Sequence, residues 1–224
     1  MPTSTEILSG LAAIANDWIA VAVAWHVAVA VALAAIAIGW RPHIRTARLL
    51  IAALPASVAI AALVHGNPFN GIVFAGATVL LISLALRDRV EAPLASPLWA
   101  RWAGGAMIAF GWLYPHFLVG DPWRYLYAAP LGLVPCPTLS MAIGLALLVP
   151  GGRRAWSLTL ASIGVFYALF GALRLGVLID FGLLAGALAL AVLATTAIRS
   201  KWRPRASLPT ESGARSRELA DRAR

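Results

Sequence analysis

Few residues in this chain can do chemistry, and they are widely spaced. Cys136, the single cysteine, stands in Pro135-Cys136-Pro137-Thr138, where a proline suited to a first helical turn puts the thiol at the expected N-cap of a short helix. Free backbone N–H groups and the positive end of the helix dipole favour a thiolate or a bound anion at such a place. The plainer reading is a small buried residue in a proline-braced turn. His65, His116 and Cys136 form a second group, because the expected topology brings all three to one side, and imidazole and thiolate suit Cu, Zn or another soft metal. No Cys-x-x-Cys or His-Glu-x-x-His spacing accompanies them, so they are metal-site candidates by residue type alone.

His26 lies among Val and Ala in the middle of an apolar segment. It reads either as a structural hydrogen bond to a facing helix or as a proton-relay or ligand residue. Arg174 and Asp180 flank the last outer turn, while Asn16 and Asp17 open the first long helix on the same side. They read as a charge pair tying these ends together, or as an entry point for an anion or proton. Asp180 also suits the cap of the last helix. Tyr114, Trp123, Tyr125 and Tyr127 read as an interfacial aromatic belt.

The elements that must position these residues are apolar helices. Of 224 residues, 61% are hydrophobic and 12% charged, and the mean hydropathy is +0.82, outside the range of soluble globular domains. The stretch from Ile19 to Ile38 is apolar at nearly every position except His26, which fits a transmembrane helix and not the alternating pattern of a barrel strand. The expected fold is therefore all-α: a transmembrane bundle of about seven helices over residues 1–198, followed by a basic, disordered tail over 199–224. The helices are expected near 16–40, 46–65, 70–86, 98–119, 125–149, 154–174 and 179–198, with an amphipathic lead-in over 4–15. The fifth is broken or re-entrant, because Pro137, Gly151 and Gly152 leave a helix of only about 20 Å at 1.5 Å per residue. Gly164, Ala168 and Ala172, and separately Gly182 and Gly186, have small-xxx-small spacing for close packing.

Charge placement sets the orientation. Sixteen of the 18 basic residues fall on one side, in the connections holding Arg41, Arg45 and Arg48, then Arg87, Arg89 and Arg101, then Arg153 and Arg154, and in the tail. Only Arg124 and Arg174 fall on the other. The positive-inside rule then puts the N-terminus outside and the C-terminus in the cytoplasm. The net charge of +9 is thereby read as topology and as attraction of the tail to anionic headgroups, not as nucleic-acid binding. Glu6 and Asp17 with no preceding basic residue argue for a retained first helix and against a cleaved signal peptide.

Two seven-helix chemistries fail on residue type. The only lysine, Lys201, lies beyond the last helix, so no retinal Schiff base can form. Asp88-Arg89-Val90 has the place of a receptor signature without its helix-seven counterpart. Haem would need two histidines at one depth, and His26 lies deeper than His65 or His116. No cofactor is implied.

The chain resembles a family of uncharacterised bacterial multi-pass membrane proteins designated domain of unknown function 6064. The residues carrying the resemblance are Tyr114-Pro115, Gly120, the run Gly132-Leu133-Val134-Pro135-Cys136-Pro137-Thr138, and Asn67-Pro68 after the second helix, with His65 beside it. Gly120 is followed by Asp121 where the family often has Gly-His, which counts against a histidine-dependent metal site. The resemblance covers the chain to about Leu190 and implies a membrane protein of about seven helices, with no established activity; the expected location is the inner (cytoplasmic) membrane.

The leading expectation is handling of a small solute or ion at an outward-facing cavity lined by Cys136, His65, His116 and the broken fifth segment, with His26, Asp17, Arg174 and Asp180 as further pathway candidates. The alternatives are a non-catalytic subunit or scaffold packing against membrane partners or a second copy, and a thiolate- or metal-dependent membrane enzyme. With no complete catalytic motif, enzymatic activity stays open. A reporter that is active only in the cytoplasm, fused after Arg224, should be active; activity there of a reporter that folds only outside would overturn the orientation.

Overall fold

The computed structural model describes residues 3–40, 42–87, 96–149 and 154–196. Among these there are only helices and turns, no strand, and the contacts divide the chain into Met1–Ala194 and Thr195–Arg224. The expected tail lies outside the described residues.

Ser4–Asp17 forms α1, an amphipathic helix opened by a capping box. The Thr3 hydroxyl accepts from the Glu6 N–H while the Glu6 carboxylate accepts from the Thr3 N–H, satisfying donors that a helix start leaves open. These bonds hold the Glu6 carboxyl below its ordinary pKa. The expected continuous helix over 16–40 is instead interrupted at Trp18 (φ −113°, ψ 32°), and Ile19–Ala37 begins anew as α2. The reason is one of environment: α1 buries one face, with Leu11, Ile14 and Ala15, whereas α2 is apolar all round.

Ile44–Val64 (α3) and Pro68–Leu86 (α4) are joined by the tight turn at Gly66 and Asn67, where the Asn67 side chain caps α4 by accepting from the Asn70 N–H. Leu98–Leu113 forms α5. It ends six residues before the expected Val119, because the residue before a proline is driven out of the α region, and Tyr114, before Pro115, has φ −42° and ψ 106°.

The fifth expected segment is in two pieces. Tyr125–Ala128 is a four-residue helix, α6, and Pro135–Leu148 is α7. Cys136 is the second residue of α7, not its cap: Val134 takes the N-cap position with no side-chain cap bond. The link between α6 and α7 is buried from Ala128 to Val134, so its polar backbone needs partners inside the protein. Val134 N–H bonds the Pro130 carbonyl, Gly132 N–H donates to Thr138 Oγ1, and that hydroxyl donates to the Val134 carbonyl. Gly132 is required here twice, for its φ of +76° and because the Trp25 ring lies against its Cα.

Arg154–Leu169 forms α8 and continues through a π-helical turn over Phe170–Arg174. A 3-10 turn at Leu178–Asp180 leads into Phe181–Thr196, α9. Among the described residues five helical stretches are long and apolar enough to cross a membrane: Ile19–Ala37, Ile44–Val64, Pro68–Leu86, Arg154–Arg174 and Leu178–Thr196. α5 and α7 are apolar but shorter.

α7 lies at the centre, packed by α3, α5 and α8, and all but two of its residues are buried. Its contact with α5 is backbone to backbone. A Cβ at Gly111 would lie 2.7 Å from the Pro137 carbonyl oxygen, one at Gly144 would lie 2.8 Å from that of Gly104, and one at Gly104 would lie 2.9 Å from that of Gly144. The small residues flagged in the last two helices also pack internally, Gly164 against Ile143 and Ala187, and Gly186 against Met107. Replacing Gly144 by Val should therefore force α5 and α7 apart and lower stability by about 1–3 kcal/mol. A thermal denaturation curve in detergent unchanged from wild type would contradict this packing.

Candidate functional site

At the end of the bundle that carries α1, three side chains from distant parts of the chain meet. Asp180, in the turn before α9, is 1% exposed. Its Oδ1 accepts a 2.8 Å hydrogen bond from the Tyr114 hydroxyl and its Oδ2 a 3.1 Å bond from the Cys136 thiol. Tyr114 is positioned by the break at the end of α5, Cys136 by the first turn of α7. Gly171, in the π-helical turn, lies so close to the Asp180 carboxyl that no Cβ fits there. A π-bulge widens a helix by one residue and is frequent at functional sites; here it brings the chain past the carboxylate and round into α9.

A cavity of about 360 Å³ opens on this cluster, within the size of small-molecule sites. Cys136 and Asp180 are part of its wall, with Asn70 and Tyr167, whose hydroxyl donates to Asn70 Oδ1 at 2.9 Å. Leu11 of α1, Phe69, Phe117 and Phe170 make most of the remaining surface apolar. Arg174 also borders it, and its Nη1 donates to Ser4 Oγ at 2.7 Å while that hydroxyl donates to the Arg174 carbonyl. Phe117 has φ +80°, costly for a side-chain-bearing residue and a strain that recurs at binding sites. Asn16 holds this loop by donating to the Phe117 carbonyl and accepting from the Val119 N–H.

The other expected site residues are elsewhere. His65 Nε2 is 3.6 Å from Asp17 Oδ2, its Nδ1 faces the Ala61 carbonyl, and its ring packs edge-on to Trp18. That pair ties α1 to the end of α3, with Asp17 largely in the open, a setting in which an ion pair is worth little. His116 packs on Phe117 and Tyr114. Neither histidine lines the cavity, so the expected lining by His65 and His116 is corrected. Among the described residues no three His, Cys, Asp or Glu side chains come together as a metal-holding group.

His26 is buried with Nδ1 2.8 Å from the Ala22 carbonyl and Nε2 3.2 Å from that of Trp112. The second contact matters structurally, because Trp112 is in the last turn of α5, where carbonyls lack helical partners. The charge pair expected to tie the outer helix ends does not involve Asp180, whose carboxylate meets Tyr114 and Cys136, while Arg174 donates to Ser4 of α1. The anion reading at the α7 N-terminus is corrected as well, since the thiol there meets a carboxylate.

Tyr114 was expected in an aromatic belt, and it is fully buried in the cluster; Trp123 and Tyr127 are exposed. Asn70 and Tyr167 were not anticipated. The signal available for them was a polar side chain within an apolar run.

Comparisons with family models, curated proteins and solved structures returned no match.

Chemically the cluster is a buried carboxylate held by two neutral donors. Removing one donor leaves an acceptor without a partner at a cost of about 1–3 kcal/mol. Tyr114→Phe should therefore lower the unfolding midpoint clearly, and more than Tyr127→Phe at an exposed position. Equal midpoints for the two variants would contradict the Tyr114–Asp180 bond.

Proposed function

We propose that this chain is a multi-pass membrane protein that binds a small solute or ion in a cavity opening outward, with Asp180 and Cys136 in its wall. The observation that carries the reading is the buried carboxylate beside an accessible, mostly apolar cavity. In a bilayer such a group is costly to keep and marks binding or passage of a ligand. Non-helical backbone at membrane depth, as between α6 and α7, belongs where protein shields it or a cavity adjoins it.

In this reading α5 and α7 add to the five long helices to make seven crossings, with α1 lying at the outer interface and the arginine-rich connections facing the cytoplasm. Kinship with the domain of unknown function 6064 family is part of the same proposal, resting on the Tyr114-Pro115 and Pro135-Cys136-Pro137-Thr138 motifs. Both motifs contribute a residue to the Asp180 cluster.

A second reading, a scaffold or subunit that packs against a partner helix, is favoured by a shallow groove of about 590 Å³ between α4 and α8, lined by small residues such as Gly76, Ala77 and Ser162. The cavity has the stronger case, because it contains the polar groups that a merely structural bundle would avoid.

Cys136 is the only thiol, so the wild-type protein reports on its own cavity. A small membrane-impermeant methanethiosulfonate added to intact cells should label Cys136, and labelling only after the cytoplasmic side is opened would overturn the outward orientation. An unreactive thiol from both sides would remove the cavity reading altogether.

A further inference from the structure

Resting on the cavity reading above, we infer that the ligand is a small organic cation, an ammonium group on an apolar body, with Asp180 as its counter-charge. Both hydrogen bonds to the Asp180 carboxylate come from neutral donors, the Tyr114 phenol and the Cys136 thiol. They orient the carboxylate and bring no positive charge to it. Among the described residues no Arg or Lys stands in ion-pair contact with it. His116 packs edge-on to Tyr114, the phenol that donates to this carboxylate. In its ionised form a carboxyl that is 1% exposed and lacks a cation carries a large desolvation cost, which a positively charged ligand in the adjoining cavity offsets.

The rest of the wall selects the kind of cation. Phe69, Phe117, Tyr167 and Phe170 border the same space. Aromatic faces suit an alkyl or aryl body and attract an ammonium group by their quadrupoles. A bare hard divalent ion would need six or more oxygen ligands, and no cluster of three acidic or metal-binding side chains is present among the described residues. Arg174 is the one feature of the wall that would welcome an anion, but its Nη1 is directed to Ser4 of α1. An anionic ligand is therefore the principal competing outcome.

The test uses three probes with one body and different heads: benzylammonium, benzyl alcohol and benzoate. Each is titrated against the full-length protein in lipid nanodiscs, and its protection of Cys136 from the methanethiosulfonate is read relative to the unprotected rate at the same pH. Benzylammonium should protect at a concentration at least about tenfold below that of benzyl alcohol, a factor read directly from the midpoints, and benzoate should not protect. Asp180→Asn should bring benzylammonium to the level of the alcohol.

Should that variant fail to fold, acidifying the wild-type protein serves instead. Protonation of Asp180 should weaken benzylammonium towards the alcohol, whose own midpoint stays fixed. The titratable groups facing the carboxylate are Tyr114, Cys136 and His116, with Tyr167 and Arg174 elsewhere on the wall; His116→Gln, which should leave the acid effect in place, separates the histidine's contribution. Benzoate protecting best, equal protection by ammonium and alcohol, or no protection by any probe would overturn the cation assignment while leaving a reactive, accessible cavity. An unreactive Cys136 would overturn the cavity as well.

Discussion

The arrangement depends on one constraint: the central helix is short and buried on nearly every side. α7 has 14 residues, about 21 Å at 1.5 Å per residue, against a hydrocarbon core of about 30 Å. In the seven-crossing arrangement proposed above, a segment of that length completes its path with non-helical backbone, whose polar groups have to be satisfied from within. Thr138 does much of this, accepting from Gly132 and donating to Val134. The surrounding helices do the rest by enclosing α7, and the glycine contacts between α5 and α7 allow the enclosure to be close. A short helix that starts deep inside the bundle leaves room above its first turn. That room is where Cys136 points and where the cavity forms.

Three local departures from regular helix converge on the same place. α5 stops at Leu113 because of Pro115, which turns Tyr114 inward. α8 ends in a π-helical turn whose Gly171 admits the Asp180 carboxyl. The loop beyond Tyr114 carries Phe117 at φ +80°, held by Asn16. Each departure costs stability where it occurs. Together they assemble a phenol, a thiol and a carboxylate that lie 22 to 66 positions apart in the chain, a coincidence that a purely structural bundle does not need.

Much of this was legible in the sequence, and the limits have physical causes. Hydropathy marks the long helices because their apolar length is a property of consecutive residues. Proline and glycine mark the broken fifth segment for the same reason. The break at Trp18 was missed because Asn16 and Asp17 read equally well as the start of one helix or the end of another. Cys136 and Asp180 were each recognisable as polar groups out of place, yet their pairing was not, since it arises from the packing of α7 against the turn before α9. Tyr114 beside a proline near a polar loop has the composition of an interfacial tyrosine; only the direction of the chain after Leu113 turns it inward. The histidines misled for the complementary reason. The expected topology puts His65 and His116 on one side of the membrane, and sequence carries no information on which way around the bundle each one faces.

The first turn of α7 and the turn before α9 present Cys136 and Asp180 to each other. Mild oxidation of the Asp180→Cys variant tests it directly, read by intact mass and by the number of thiols left for alkylation. An intramolecular disulfide between positions 136 and 180, absent from a control variant carrying Asp121→Cys, is the predicted result. Two thiols that both remain free to alkylation after oxidation, in a protein that is otherwise folded, would contradict it.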